Sequence, residues 1–119
     1  MPSGAGMIAV YAGSVPPELA RTLDLGGYAW KGVTSIDEAS EHEPNDGWSA
    51  AIVEIGDDNE SAWAFCRSLR QHDGGNTRVM LLVAGSQLSG LELRDDVYDD
   101  FCLSPFHPSE LEARLRHLL

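Results

Sequence analysis

The residues best placed to do chemistry lie in the stretch SAAIVEIGDDN. Glu54 closes an apolar run, Ala50–Val53, and Asp57 and Asp58 follow three and four residues later. A carboxylate at the end of a buried strand costs free energy unless it is hydrated, paired or used. The chemistry on offer is that of hard oxygen donors: proton transfer by Glu54, or loose ligation of a divalent ion by Glu54 with Asp57 and Asp58. In the plainer alternative the two aspartates form a solvated loop that caps the next helix. Cys66 and Cys102 have no CxxC partner and no histidine at metal-ligand spacing, so both are expected to be small buried hydrophobes rather than a disulfide or zinc site. His42, His72, His107 and His117 are scattered, without a recurring carboxylate, serine or cysteine partner, and no catalytic triad is expected.

These side chains are positioned by a regular alternation of elements. MIAVYA, Met7 to Ala12, reads as a covered strand, and Pro16, Pro17, Leu19 and Leu23 open and line a helix that Gly26 and Gly27 stop. Tyr28 to Thr34 reads as a half-exposed edge strand. Ser35 with Glu38 makes a capping-box pattern for a short helix. Ala50 to Ile55 is the central strand, and Asp58 or Asn59 caps a helix with Ala62, Phe65, Cys66 and Leu69 on one face before Gly74 and Gly75. RVMLLVA, Arg78 to Ala84, is unbroken and apolar, as in strands covered on both faces. SQLSGLELRDD holds a short helix at best, DDFCL is a fifth strand, and a last helix from Ser109 carries Leu111, Leu115 and Leu118. Trp30 and Trp48 are expected to be partly exposed. Five strands alternating with five helices predict an α/β fold, a parallel sheet covered on both faces with right-handed crossovers. Sites in such sheets lie at the C-terminal ends of strands, which is where Glu54 falls.

The chain has 119 residues, 43% hydrophobic and 23% charged, which suits one domain over residues 7–119 behind a flexible tail, 1–6. Eight Lys and Arg against nineteen Asp and Glu give a net charge of -11, which argues against nucleic-acid and anionic-membrane partners. No apolar run reaches the roughly 20 residues of a membrane span, and MPSGAGM lacks the pattern of a secretion signal, so a cytoplasmic location is expected.

The C-terminal stretch DDFCLSPFHPSELEARLRHLL, Asp99 to Leu119, closely resembles the end of bacterial response-regulator receiver domains, where an acidic pair, an aromatic and two apolar residues precede Lys-Pro-Phe and a Pro-x-Glu-Leu helix start. The resemblance implies a flavodoxin-like (βα)5 sandwich of three layers with strand order 2-1-3-4-5, and a cis peptide at Ser104-Pro105. It also implies the phosphoacceptor pocket of such domains, in which an acidic pair after the first strand holds Mg2+ beside an acceptor aspartate, with a hydroxyl residue and a lysine from the fourth and fifth strands. Those positions fall on Tyr11 and Ala12, or at most Gly13, on Glu54, on Val83 and on Ser104. None but Glu54 keeps the required chemistry, so the pocket is expected to be degenerate, with Glu54 a fixed charge imitating a phosphorylated aspartate, a hydrated remnant at the rim, or a carboxylate held by a donor such as the Ser104 hydroxyl. Phe101 stands at the place of the switch aromatic. Receivers of winged-helix transcription regulators are the nearest resemblance. Their dimer face, formed by the fourth helix, fifth strand and fifth helix, corresponds here to Asp96, Asp99, Asp100, Glu110 and Arg114.

The function expected is a non-enzymatic regulatory module without metal or cofactor, the N-terminal part of a response regulator in transcription, working as a homodimer or against an output domain. Two alternatives stand beside it. One is a flavodoxin-like small-ligand or cofactor domain using the AGSVPPE loop, and the other is a conventional phosphoaccepting receiver.

Overall fold

The computed structural model describes residues 6–56, 59–72, 77–90 and 97–119. Five apolar runs become strands: β1 (Met7–Tyr11), β2 (Ala29–Val33), β3 (Ala50–Glu54), β4 (Arg78–Ala84) and β5 (Asp100–Ser104). All neighbours pair in parallel, in the order β2-β1-β3-β4-β5. The helices are α1 (Pro17–Leu25), α2 (Ile36–Glu41), α3 (Asn59–His72) and α4 (Pro108–Leu118). The flavodoxin-like architecture is therefore as expected, with one correction. Among the described residues there are four α-helices rather than five, and the described part of the connection after β4 is a 3-10 helix, Gly85–Gly90. Gly and Ser are weak helix formers, and short connectors commonly take this tighter geometry. The acidic part of that connection, residues 91–96, lies outside the described residues, as do Asp57, Asp58, Gly74 and Gly75.

Alternation along the strands divides the core into two layers. Ile8, Val10, Ala50, Ile52, Met80, Leu82 and Cys102 meet Leu19 and Leu23 of α1 and Leu111 and Leu115 of α4. On the other face Ala9, Val33, Ala51, Val53, Leu81 and Val83 meet Ala39 of α2 and Ala62, Phe65, Cys66 and Leu69 of α3. β3 and β4 are buried on both faces, which is why their sequences show apolar runs instead of alternation.

Local chemistry sets the helix ends. Pro17 opens α1, where its missing N–H removes no helical bond. Gly27, at φ +80°, closes it in a Schellman turn: Tyr28 N–H donates to the Leu23 carbonyl at 3.0 Å and Gly27 N–H to that of Asp24 at 3.1 Å. Ser35 caps α2 by accepting the Glu38 N–H at 3.0 Å. Glu38 reaches back further than a capping box requires, accepting the Thr34 N–H at 2.7 Å and the Thr34 hydroxyl at 2.9 Å. The Thr34 backbone bond, then its hydroxyl, hold the Glu38 carboxyl below the usual range. His107 caps α4 through Nδ1, which accepts the Ser109 N–H at 3.2 Å.

Trp48 corrects an expectation. It is buried rather than partly exposed, with its indole N–H donating to the Ala39 carbonyl at 3.2 Å, so that it pins α2 to the segment leading into β3. Both cysteines are buried and unpaired. Desolvation pushes the Cys66 thiol up to about 12, against the pull of Arg70 and Arg67, and raises Cys102 by the same cause. The thiolate is the reactive form. Neither cysteine is expected to react with iodoacetamide at pH 8 over an hour in buffer, whereas both should react in 6 M guanidinium chloride (roughly the range that unfolds most domains). Intact mass spectrometry reads the difference, and rapid labelling in buffer would contradict the packing of Cys66 in the α2/α3 layer or of Cys102 in the α1/α4 layer.

Candidate functional site

The direction of winding reverses between β1 and β3, since β2 lies on one side of β1 and β3, β4 and β5 on the other. Such a switch point opens a crevice at the C-terminal ends of the two strands. Register carries the candidate residues to that edge: Tyr11 pairs with Val53, Glu54 with Leu82, and Ala84 with Ser104. Tyr11, Ala12, Glu54, Val83 and Ser104 thus share one crown of the sheet.

The chemistry of that crown is sparse. Ala12 and Val83 are buried and apolar. The Tyr11 ring does not turn into the crevice but lies on Phe65 of α3, with ring centroids 4.3 Å apart and planes tilted by 33°. Ser104 is half-buried and joined to Pro105 by a cis peptide bond, as the resemblance implied. Glu54 is half-buried at the end of β3, and among the described residues no side chain or backbone donor meets its carboxylate. The expected alternative in which the Ser104 hydroxyl holds Glu54 is therefore not brought together. Among the described residues the donors of the crown do not make the several hard oxygens in a near-octahedral shell that a magnesium ion asks for, and Asp57 and Asp58 lie outside them. Among the described residues no group of three or more His, Cys, Asp or Glu side chains could hold a metal.

One polar residue of the crown was not anticipated. Gln87, in the 3-10 helix, accepts the Ala84 N–H through Oε1 at 2.9 Å and donates through Nε2 to the Gly56 carbonyl at 3.1 Å. The one available signal was a lone amide three residues after the end of an apolar strand, where polar side chains commonly bond nearby backbone.

The expected dimer face has its own geometry. Arg114 of α4 grips two acids of its own chain: Nη1 donates to Asp100 Oδ1 at 3.0 Å, and Nη2 and Nε to Glu110 Oε2 at 3.1 and 3.2 Å. The Glu110 hydrogen bond first, and that to Asp100 second, raise the guanidinium's already high pKa. Asp99 turns elsewhere, accepting the Val79 N–H at 2.8 Å and Arg70 Nη2 at 3.0 Å. Asp96 lies outside the described residues. Phe101 is half-buried and packs against the α2/α3 core layer. Leu103, on the exposed edge strand β5, and Leu88 remain open to solvent.

Two grooves mark the surface. One, of about 370 Å³, lies between α1 and α4 beside the exposed Leu25. The other, of about 260 Å³, lies between α2 and α3 beside Tyr11. Of the AGSVPPE loop on which the flavodoxin-like ligand alternative depends, Glu18 lines the first groove, and none of its residues lines the second.

The fold is that of receiver domains. No family model matches the chain, and no curated protein matches it in sequence. Its structural neighbours are response-regulator receiver domains. The chemotaxis protein CheY4 of Vibrio cholerae is 18% identical, with a TM-score of 0.72 over 95% of this chain and 97% of that one. A CheY-like response-regulator receiver domain protein of Methanospirillum hungatei is 14% identical, with a TM-score of 0.69 over 93% and 90%. NtrX of Brucella abortus, in complex with ATP, is 17% identical, with a TM-score of 0.79 over 97% of this chain but 27% of its own. At these identities the likeness is one of fold. No helix among the described residues is long and apolar enough to cross a membrane.

Proposed function

We propose that the chain is a regulatory module of signal transduction that works without phosphorylation, through self-association or contact with an output domain, in transcriptional control. One observation carries it: a receiver-shaped crown in which Glu54 is the sole carboxylate among the described residues at the C-terminal ends of β1, β3, β4 and β5. Phosphoryl transfer depends on positioning and on positive charge at the phosphoryl oxygens. Glutamate displaces its oxygen by roughly 1.5 Å relative to aspartate, and a misplacement of about 1 Å can cost on the order of 100-fold. Ala12, Val83 and Ser104 supply neither a carboxylate for a metal nor a cation, and the net charge of -11 opposes an anionic donor. The chain is read as a binding module rather than an enzyme. NtrX, where the matched part is 27% of the chain, is a precedent for this fold within a longer protein.

Self-association would use β5 and α4. A two-fold contact is self-complementary, so the Arg114 and Asp100 of two copies can exchange partners in pairs. The Arg114 side chain is 38% exposed and that of Glu110 50%, which leaves both within reach of a second copy. Two measurements test the proposal. After incubation with acetyl phosphate and Mg2+, intact mass is expected to show no phosphoryl adduct, and an adduct on Glu54 would sink phosphate independence. Light scattering across concentrations is expected to show a dimer that Arg114→Glu weakens about tenfold or more. A monomer in both proteins would remove the interface.

A further inference from the structure

Gln87 spends both polar atoms of its amide on backbone groups of two different loops, Ala84 at the end of β4 and Gly56 across a separation of 31 residues. Gly56 stands two residues after Glu54, and Ala84 directly follows the buried Val83, so the amide spans the part of the crown where β3 and β4 end. Below it the sheet is closed by the Ile55 N–H, which donates to the Leu82 carbonyl at 2.9 Å. We propose that Gln87 is a built-in latch, a positioning residue that holds the loops after β3 and β4 in one arrangement without a phosphoryl group. This rests on the phosphate-independent reading above and deepens it.

A switch needs two arrangements close in free energy and a ligand that prefers one of them. A side chain bonded to both loops favours a single arrangement permanently. Val83 offers no hydroxyl that a ligand could draw inward, so hydrogen bonding between these loops passes to the amide. Gln87 is half-buried, so water can replace its bonds only in part.

Amide exchange by NMR on the full chain tests the latch, with Gln87→Ala and Gln87→Glu. Glutamate retains an acceptor for the Ala84 N–H but has no donor for the Gly56 carbonyl. In Gln87→Ala the Ala84 amide is expected to exchange about tenfold faster, matching the loss of a net hydrogen bond. In Gln87→Glu it should stay near the wild-type rate. The backbone order parameter of Gly56 should fall in both variants, while the Ile55 amide stays protected. Unchanged exchange at Ala84 with unchanged order at Gly56 would overturn the latch. So would equal acceleration of Ile55 and Ala84, which would mean general loosening. A wild-type chain that takes up phosphate while these results hold would sink only the phosphate-independent reading, since the exchange data judge the latch alone.

Discussion

A Leu111→Ala chain is expected to lose about 2–5 kcal/mol of stability, the range for truncating a buried leucine whose site does not collapse. Leu111 is fully buried in the first turns of α4 and lies in the core layer that holds Leu19 and Leu23 of α1, Ile8 and Val10 of β1, and Leu82 of β4. α4 has few other holds on the sheet, since Leu115 is its remaining fully buried residue and most of its other side chains face water. That layer is shared by two helices and by β1, β3, β4 and β5, so a cavity at Leu111 is felt across it. Urea unfolding followed by circular dichroism measures the effect. Leu119→Ala, at a site 47% exposed, is the control and should change stability by less than about 0.5 kcal/mol. A loss below about 1 kcal/mol for Leu111→Ala would mean that α4 is not docked as described.

Asp99→Ala is expected to cost about 1.5–3 kcal/mol, the range for hydrogen bonds to a charged group. Its carboxylate accepts the N–H of Val79, a fully buried residue at the start of β4, while its own N–H donates to the Val79 carbonyl at 2.8 Å. The same oxygen receives Arg70 of α3, and Arg78 stands 3.9 Å from the other. Asp99 thus extends the β4–β5 ladder by one rung and ties it to α3. Asp99→Asn keeps an acceptor without the charge and should lose roughly half as much. Running the urea series at several protein concentrations separates this intrachain role from the dimer contact expected for Asp99. A loss independent of concentration supports the clasp, and one that grows with concentration supports the interface.

Much of the scaffold was legible because its signals are local. Arg78–Ala84 emerges as a strand residue for residue, and Ala62, Phe65, Cys66 and Leu69 form the buried face of α3 as their spacing predicted. The glycine stop of α1 and the Ser35 cap of α2 also stand where sequence put them, since each depends on a few neighbouring residues. Strand ends moved by a residue, as at Tyr28 and Ile55, which hydrophobic patterning does not resolve. After β4 the stretch Gly85–Gly90 forms a 3-10 helix, in which glycine and serine leave the choice to context.

The crown was legible in composition and not in arrangement. Sequence alone determined that Glu54 would end the central strand and that Tyr11, Ala12, Val83 and Ser104 could supply neither an acidic pair nor a cation, because those facts follow from residue type and position along the chain. Only the tertiary structure decided which groups meet. It laid Tyr11 on Phe65, buried Trp48 against Ala39, closed Arg114 on Asp100 and Glu110, turned Asp99 toward Arg70, and placed Gln87 across to Gly56. Hydrophobic periodicity and capping act over a few residues and survive in a one-dimensional reading. The partner of a charge or an amide is set by which elements the sheet order brings together, at separations of up to 31 residues here, and that distance in sequence carries no pattern of its own.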